Sequence, residues 1–230
     1  MPDETQLSES IQDYLKAINE LAQGGVPTST NDIAGRLNVA AASVTGMLKR
    51  LASMDPPLVD YHKHHGVQLT EEGQQISLQI IRKHRLIELF LVKTLEYTWD
   101  EVHEEAERLE HAVSFRFGER LARLLGEPEF DPHGDPIPSR DLQLPTMRTI
   151  PLSDVQSGQR AVIRRVHTSD AALLRYLGEM GVLPGVEIIV QAQIPFDRTV
   201  HIHLLGQDRQ PECVLGVDIS LLIQVEIISK

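Results

Sequence analysis

The chain is poor in the features of secreted, membrane-spanning or disulfide-stapled proteins. Its 230 residues contain a single cysteine, Cys213, which excludes an internal disulfide and fits a reducing compartment. No apolar run approaches the ~20 residues needed to cross a bilayer. The opening MPDETQLSES is acidic and polar, unlike a secretory leader. These absences point to the cytoplasm and to no membrane partner. There is no internal repeat, no low-complexity tract and no His-Glu-x-x-His pair of the kind a metallohydrolase uses. What remains is a globular composition, 41% hydrophobic and 24% charged, long enough for one to three domains.

Positive charge is also scarce, with 22 Lys and Arg against 33 Asp and Glu. That balance argues against nucleic acid until the charges are placed. Between Thr28 and Thr70 the acids are Asp32, Asp55 and Asp60, and they face Arg36, Lys49, Arg50 and Lys63, with His62, His64 and His65 beside them. The acid excess lies elsewhere, notably between Asp100 and Asp135, where it suits divalent cations better than phosphates.

Leu7, Ile11, Tyr14, Leu15, Ile18 and Leu21 share one side of a helix over 7–23, which Gly24 and Gly25 should stop. TSTNDIAGRL opens a second helix capped by Ser29 or Thr30, and NVAAASVTGMLKRLASM a third after a turn at 37–39. Asp55-Pro56-Pro57 breaks the chain, and LVDYHKHHGVQLT follows as two short strands around a basic tip. Helix, tight turn, helix and hairpin spell a winged helix-turn-helix.

Two long helical stretches come next. QQISLQIIRKHRLIELFLVKTL is too apolar to stand exposed, and DEVHEEAERLEHAVSFRFGERLARLL starts from a cap at Thr98 or Asp100. Residues 126–151 hold six of the chain's thirteen prolines and are expected to be a linker. From Leu152 the pattern changes to short strands, RAVIRRV, VEIIVQAQI, TVHIHLL and SLLIQVEII, interrupted by one short helix, SDAALLRYLGEMG. This spacing suits a small SH3-type barrel. The fold class is therefore α+β multidomain.

The stretch VHEEAERLEH carries the chemistry. His103, Glu107, Glu110 and His111 fall within an arc of roughly 100° on one helix face, beside the apolar stripe Val102, Ala106, Leu109, Val113 and Phe117. His84 and Glu88 repeat an imidazole–carboxylate pair one turn apart on the preceding helix. Paired His and Glu on antiparallel helices can be a solvated face or a metal site. The donors are oxygen and nitrogen with no thiolate, a set that favours harder ions such as Mn2+ over zinc or copper, with Fe2+ as the alternative. A metallohydrolase built on these residues would leave the helix-turn-helix without a use, so no small-molecule substrate is expected.

The segments DYLKAINEL, DIAGRLNVAAASVTGMLKRL, LTEEG, KHRLIELFL, VHEEAERLEH and DPHGDPIP together resemble the diphtheria-toxin-repressor family of metal-dependent transcription regulators, over essentially the whole chain. RYLGEMGVLPGVEIIV resembles the FeoA-type SH3-like domain of its longer members. The resemblance implies a homodimer that binds an operator in double-stranded DNA and shuts off metal uptake genes. It implies four parts: a DNA-binding domain over 1–73, a helical metal-binding and dimerisation domain over 74–126, a linker over 127–151 and the SH3-like domain over 152–230. It also implies a primary metal site of Asp13, Glu107, Glu110 and His111, and an ancillary one of His84, Glu88 and His103. The iron-responsive branch has methionine and cysteine at the first two primary positions, where Asp13 and Glu107 stand here as in the manganese branch. Manganese-type relatives carry an acid one turn after the helix-one aspartate; this chain has Lys16, which argues against a bridged two-metal cluster. The iron-type pattern also draws ligands from the third domain, where AVIRRVHT offers only His167.

On the DNA side, the recognition helix should start near Ala42, with Ser43, Thr45 and Gly46 facing outward early in it. These are small residues, so base contacts should be sparse, with Lys49 and Arg50 on phosphates. Thr30 and the wing's Lys63 complete the expected contact set.

Overall fold

Helix α1 (Glu9–Leu21) forms where the apolar spacing predicts and buries Ile11, Tyr14, Leu15 and Ile18. The computed structural model describes residues 7–22, 26–206 and 211–229. The expected stop at Gly24 and Gly25 therefore lies outside the described residues. Ser29 caps α2 (Thr30–Leu37) by accepting the Asp32 backbone N–H at 3.1 Å. Asn38 then turns left-handed, with φ 52°, and the chain re-enters helix as α3 (Ala41–Ala52). Val44, Leu48 and Leu51 bury one face of α3 and leave the opposite face outside. Strands β1 (Val59–His62) and β2 (Gly66–Leu69) pair antiparallel from Val59–Leu69 to His62–Gly66, and the turn between them is the wing tip.

Thr70 caps α4 (Glu71–Leu95) through the Gly73 N–H. Glycine is required at 73, because a Cβ there would sit 1.9 Å from the Leu58 carbonyl oxygen. The 25 residues of α4 make a rod of about 37 Å. Its apolar character is explained by double duty. Ile76 and Ile80 complete the core of the winged domain, while Leu86, Ile87, Leu89 and Leu91 form a second core with Val102, Ala106, Leu121, Ala122 and Ile137. Each fully buried Leu or Ile contributes about 1.5–3 kcal/mol, so the helix is fixed in both bodies at once.

The stretch expected as one long helix from Val102 is two. Helix α5 (Val102–Glu110) ends at His111, and α6 (Phe115–Leu124) begins at a new cap, Ser114, which accepts the Phe117 N–H. Phe117 therefore leaves the apolar stripe of α5 and is 43% exposed.

The proline-rich segment is docked over its first half. Asp131, His133, Gly134, Ile137 and Pro138 are buried, Ile137 within the core that α4 shares and Asp131 beside Arg85 of α4. Arg82 donates to the Pro138 carbonyl at 2.7 Å and Arg85 to that of Pro136. Beyond it lies a six-stranded antiparallel sheet, ordered β3-β8-β4-β5-β6-β7. Its strands are β3 (Ile150–Pro151), β4 (Arg160–Val166), β5 (Glu187–Gln193), β6 (Val200–Leu204), β7 (Glu212–Leu215) and β8 (Ile223–Ser229), with helices α7 (Ala171–Glu179) and α8 (Val217–Leu222). Alternation is clean in β6, where Val200, Ile202 and Leu204 point inward. This domain is tied to the docked segment. The Val166 N–H donates to His133 O at 2.9 Å, Arg165 pairs with Asp135, and Gly134 lies so close that a Cβ would be 1.8 Å from Arg164 O.

Candidate metal centre

Three elements converge below the winged domain: α1, the middle of α4 and the end of α5. Asp13, Glu110 and His111 each offer a ligand atom, all within 4.8 Å of one another. His111 Nε2 lies 3.1 Å from Asp13 Oδ1 and 3.6 Å from Glu110 Oε1. The other ring nitrogen, Nδ1, is 3.3 Å from Gln12 Oε1, and Gln12 itself donates to the Leu7 carbonyl. Nδ1 is thus turned to Gln12 and Nε2 to the two carboxylates, which is how an outer partner orients a histidine ligand. Glu107 stands apart from this trio. It is 47% exposed, 3.6 Å from Lys16 Nζ and 3.5 Å from His103 Nε2.

The second group is His84, Glu88 and His103. His84 Nε2, Glu88 Oε1 and His103 Nδ1 form a triangle with edges of 3.0, 3.0 and 3.2 Å. Ligands at right angles around an ion with bonds of about 2.1 Å are about 3.0 Å apart, so this triangle matches one face of an octahedron. The residues present therefore fit a hard divalent cation at both places.

Electrostatics link the two groups. His84 is buried. Burial and the Lys16 ammonium push its pKa down, but the carboxylates of Glu88 and Glu110 outweigh them and hold it at about 9. It thus donates from Nδ1 to Glu110 Oε2 at 2.6 Å and from Nε2 to Glu88. Burial would raise Glu110, yet the bond from His84 and the charge of Lys16 bring it to about 2. Burial together with Glu110 and Glu107 raises Asp13, against the pull of His111 and Lys16. Like charges are crowded at the α1–α5 junction.

Two further donors come from the docked segment and were not singled out by the sequence. His133 is 5% exposed, and both its ring nitrogens are buried without a hydrogen-bond partner. Burial lowers its pKa, and the facing histidines His103 and His84 lower it further, against Glu88 and Asp135. Burial, with Glu88 and Asp135 adding to it, raises Asp131 well above the carboxylate range. Both residues line a cleft of about 540 Å³ shared with Glu88 and His103, and with His167 at its rim. A buried imidazole without a partner, beside a buried carboxylate, offers donor atoms that a cation could take up. The signal in the sequence was the pair of donors in DPHGDP, which composition alone assigns to a turn.

On the DNA side Ala42, Ser43, Gly46, Lys49 and Arg50 are exposed on one face of α3, and Lys63 on the wing. Thr45 is half-buried and gives its hydroxyl proton to Ala41 O, and Thr30 is half-buried at the start of α2. Nothing within 4 Å would meet a Cβ at Gly46, so that position is open to a close approach.

A winged helix-turn-helix on a shared spine helix, with two clusters of hard-cation donors where it meets the next domain, defines a metal-responsive DNA-binding regulator. Family comparison agrees segment by segment. Residues 6–67 match the iron dependent repressor N-terminal DNA binding domain, 70–139 its metal binding and dimerisation domain, and 150–227 the FeoA domain. The iron-dependent repressor IdeR of Mycobacterium leprae is 30% identical over 80% of this chain and 85% of its own. Among solved structures, a manganese-dependent transcriptional repressor in complex with manganese superposes with a TM-score of 0.85 at 37% identity, covering 95% of this chain and all of that one. ScaR with bound Zn2+ gives 0.78 at 35% identity, covering 95% and 99%. The chain belongs to the diphtheria-toxin-repressor family of metal-dependent, DNA-binding transcriptional repressors, with a C-terminal FeoA domain. The family is one of transcription regulators. Among the described residues no helix is long and apolar enough to cross a membrane.

Proposed function

We propose that this repressor is a cytoplasmic homodimer whose co-repressor is Mn2+. The observation that carries the reading is the donor set. Asp13, Glu110 and His111, with Glu107 as a fourth donor on the same helix, offer oxygen and nitrogen only, and the chain's one cysteine is buried in the core of the distant β domain. His84, Glu88 and His103, joined by Asp131 and His133 from the docked segment, form the ancillary site. A divalent cation would add positive charge to that which Lys16 and His84 already bring to these acids. Asp13 is the one primary donor on α1, so it links that site to the DNA-binding domain. Held to Glu110 and His111, it narrows the range of separations between two recognition helices, and a dimer that must match two half-sites gains affinity from that restriction. Phe115, Phe117 and Leu124, exposed on α6 of a single chain, support burial against a second copy. By family analogy the targets are metal uptake genes.

Fe2+ is the second reading, because the same donors accept it and the Mycobacterium leprae relative is named an iron-dependent repressor. Operator selection from random DNA, run with Mn2+, with Fe2+ under anaerobic conditions and with chelator, separates the two. Enrichment of one sequence with Mn2+ and none with chelator is expected. Equal retention of that sequence in chelator would remove the co-repressor reading. Binding should also fall steeply with salt, since Lys49, Arg50 and Lys63 release counterions from phosphates.

A further inference from the structure

His133 enters the cleft from the docked segment with a fixed backbone and a ring that makes no hydrogen bond. Its N–H donates to Asp131 Oδ1 at 2.8 Å, and its carbonyl accepts from the Val166 N–H. Neither ring nitrogen has a hydrogen-bond partner, and the last torsion of an imidazole has only broad minima, so packing has to set the ring's plane. The ring's aromatic neighbour is the indole of Trp99, with centroids 5.7 Å apart and planes inclined by 33°.

Trp99 is itself gripped from the other side. It is half-buried against the core of the β domain, and a Cβ on Gly178 would come within 2.7 Å of its Nε1. Arg175, three residues before Gly178 on α7, donates to Asp100 Oδ2 at 3.0 Å. Two positions on one face of α7 thus hold neighbouring residues of the α4–α5 loop. That loop closes where the Glu101 N–H donates to the Thr98 carbonyl at 3.1 Å, and α5, which carries His103, begins at the next residue.

We infer that Trp99 is the positioning residue through which α7 of the FeoA domain sets the ring of His133 in the ancillary cleft. The FeoA domain then acts on that site without α7 offering it a ligand. Gly178 leaves room for the indole, the indole fixes the plane of the imidazole, and the imidazole lines the cleft with Glu88 and His103. A metal donor has to stand within about 0.2 Å of its bond length, so an indole displaced by one methyl group is enough to spoil the arrangement.

The inference rests on the ancillary site proposed above, and a metal-free readout keeps the two apart. In the full-length chain with chelator, the ring C–H resonances of His133 are identified by their loss in His133→Gln and carry the ring current of the indole. Gly178→Ala lies outside the cleft, yet it should move those resonances and the Trp99 emission. Mn2+ affinity is then measured with a chelating dye in a His111→Gln parent, which disables the primary site and leaves the ancillary group whole. Gly178→Ala and Trp99→Leu should each weaken that binding about 10-fold or more, whereas Trp99→Phe, which keeps an aromatic face against the imidazole, should bind as the parent does. Unmoved His133 resonances in Gly178→Ala, or parental Mn2+ affinity in a folded Trp99→Leu, would overturn the inference. Displaced resonances with no Mn2+ bound by the His111→Gln parent would instead defeat the ancillary-site reading and leave the positioning of His133 standing.

Discussion

His84 shows how much a single residue is asked to do. It is buried, bonded to carboxylates at both ring nitrogens, and held at about 9 against an ordinary 6.5. A histidine raised on folding stabilises the fold fully below about pH 6.5, and that contribution is lost as pH rises through 9. The amount is on the order of 3 kcal/mol. Glu110 has the opposite sign. Lowered to about 2 from 4.5, it contributes fully above pH 4.5 and loses that as pH falls through 2. In chelator, the melting temperature of the wild type should therefore drop between pH 6.5 and 9.5, and His84→Gln should lack that drop. A flat wild-type profile over the window would show that His84 is not held protonated. Gln12 offers a second test at this scale. Because it orients His111 from behind, Gln12→Leu should weaken Mn2+ binding about 10–100-fold. Unchanged affinity by competition with a chelating dye would remove it from the site.

Among the elements, the docked proline-rich segment and β4 form one contact. Gly134 has φ +85° and no room for a Cβ against Arg164, so Gly134→Ala should pull this segment and the β domain apart. Trp99, the only tryptophan, lies between His133, at 5.7 Å between ring centroids, and Gly178 of α7. Its emission should shift to the red in Gly134→Ala, and residues 139–149 should become sensitive to protease. Wild-type emission and resistance, with helical content intact, would mean the contact tolerates the methyl group.

These elements also show what could be read in advance. The helices of the winged domain follow from apolar residues at helical spacing, and the Ser29 cap from local chemistry. The break after Glu110 was hidden because Val113 and Phe117 continue the α5 period past it, and Ser114 interrupts a pattern that otherwise persists. Strand β7 has four residues and too little alternation to announce itself. The candidate site was legible where its donors follow one another at helical spacing, as His103, Glu107, Glu110 and His111 do. Asp131, His133 and Gln12 were not, because their burial is set by α4, β4 and α5, which lie far off in sequence, and proline content says only that a segment is neither helix nor strand.

At the scale of the whole molecule the account turns on Asp13, the proposed primary ligand outside the dimerisation domain. Without it, Glu110 and His111 can still hold an ion more weakly, but the ion no longer distinguishes between arrangements of the winged domains. A ligand without that preference shifts no population, however tightly it binds. The most direct measurement is a paired Mn2+ titration of wild type and Asp13→Ala, following metal occupancy by calorimetry and operator binding by fluorescence anisotropy on the same preparation. The account predicts that Asp13→Ala becomes metal-loaded at high Mn2+ yet binds operator little better than the wild type does in chelator. Recovery of wild-type operator affinity by Asp13→Ala at saturating Mn2+ would contradict it.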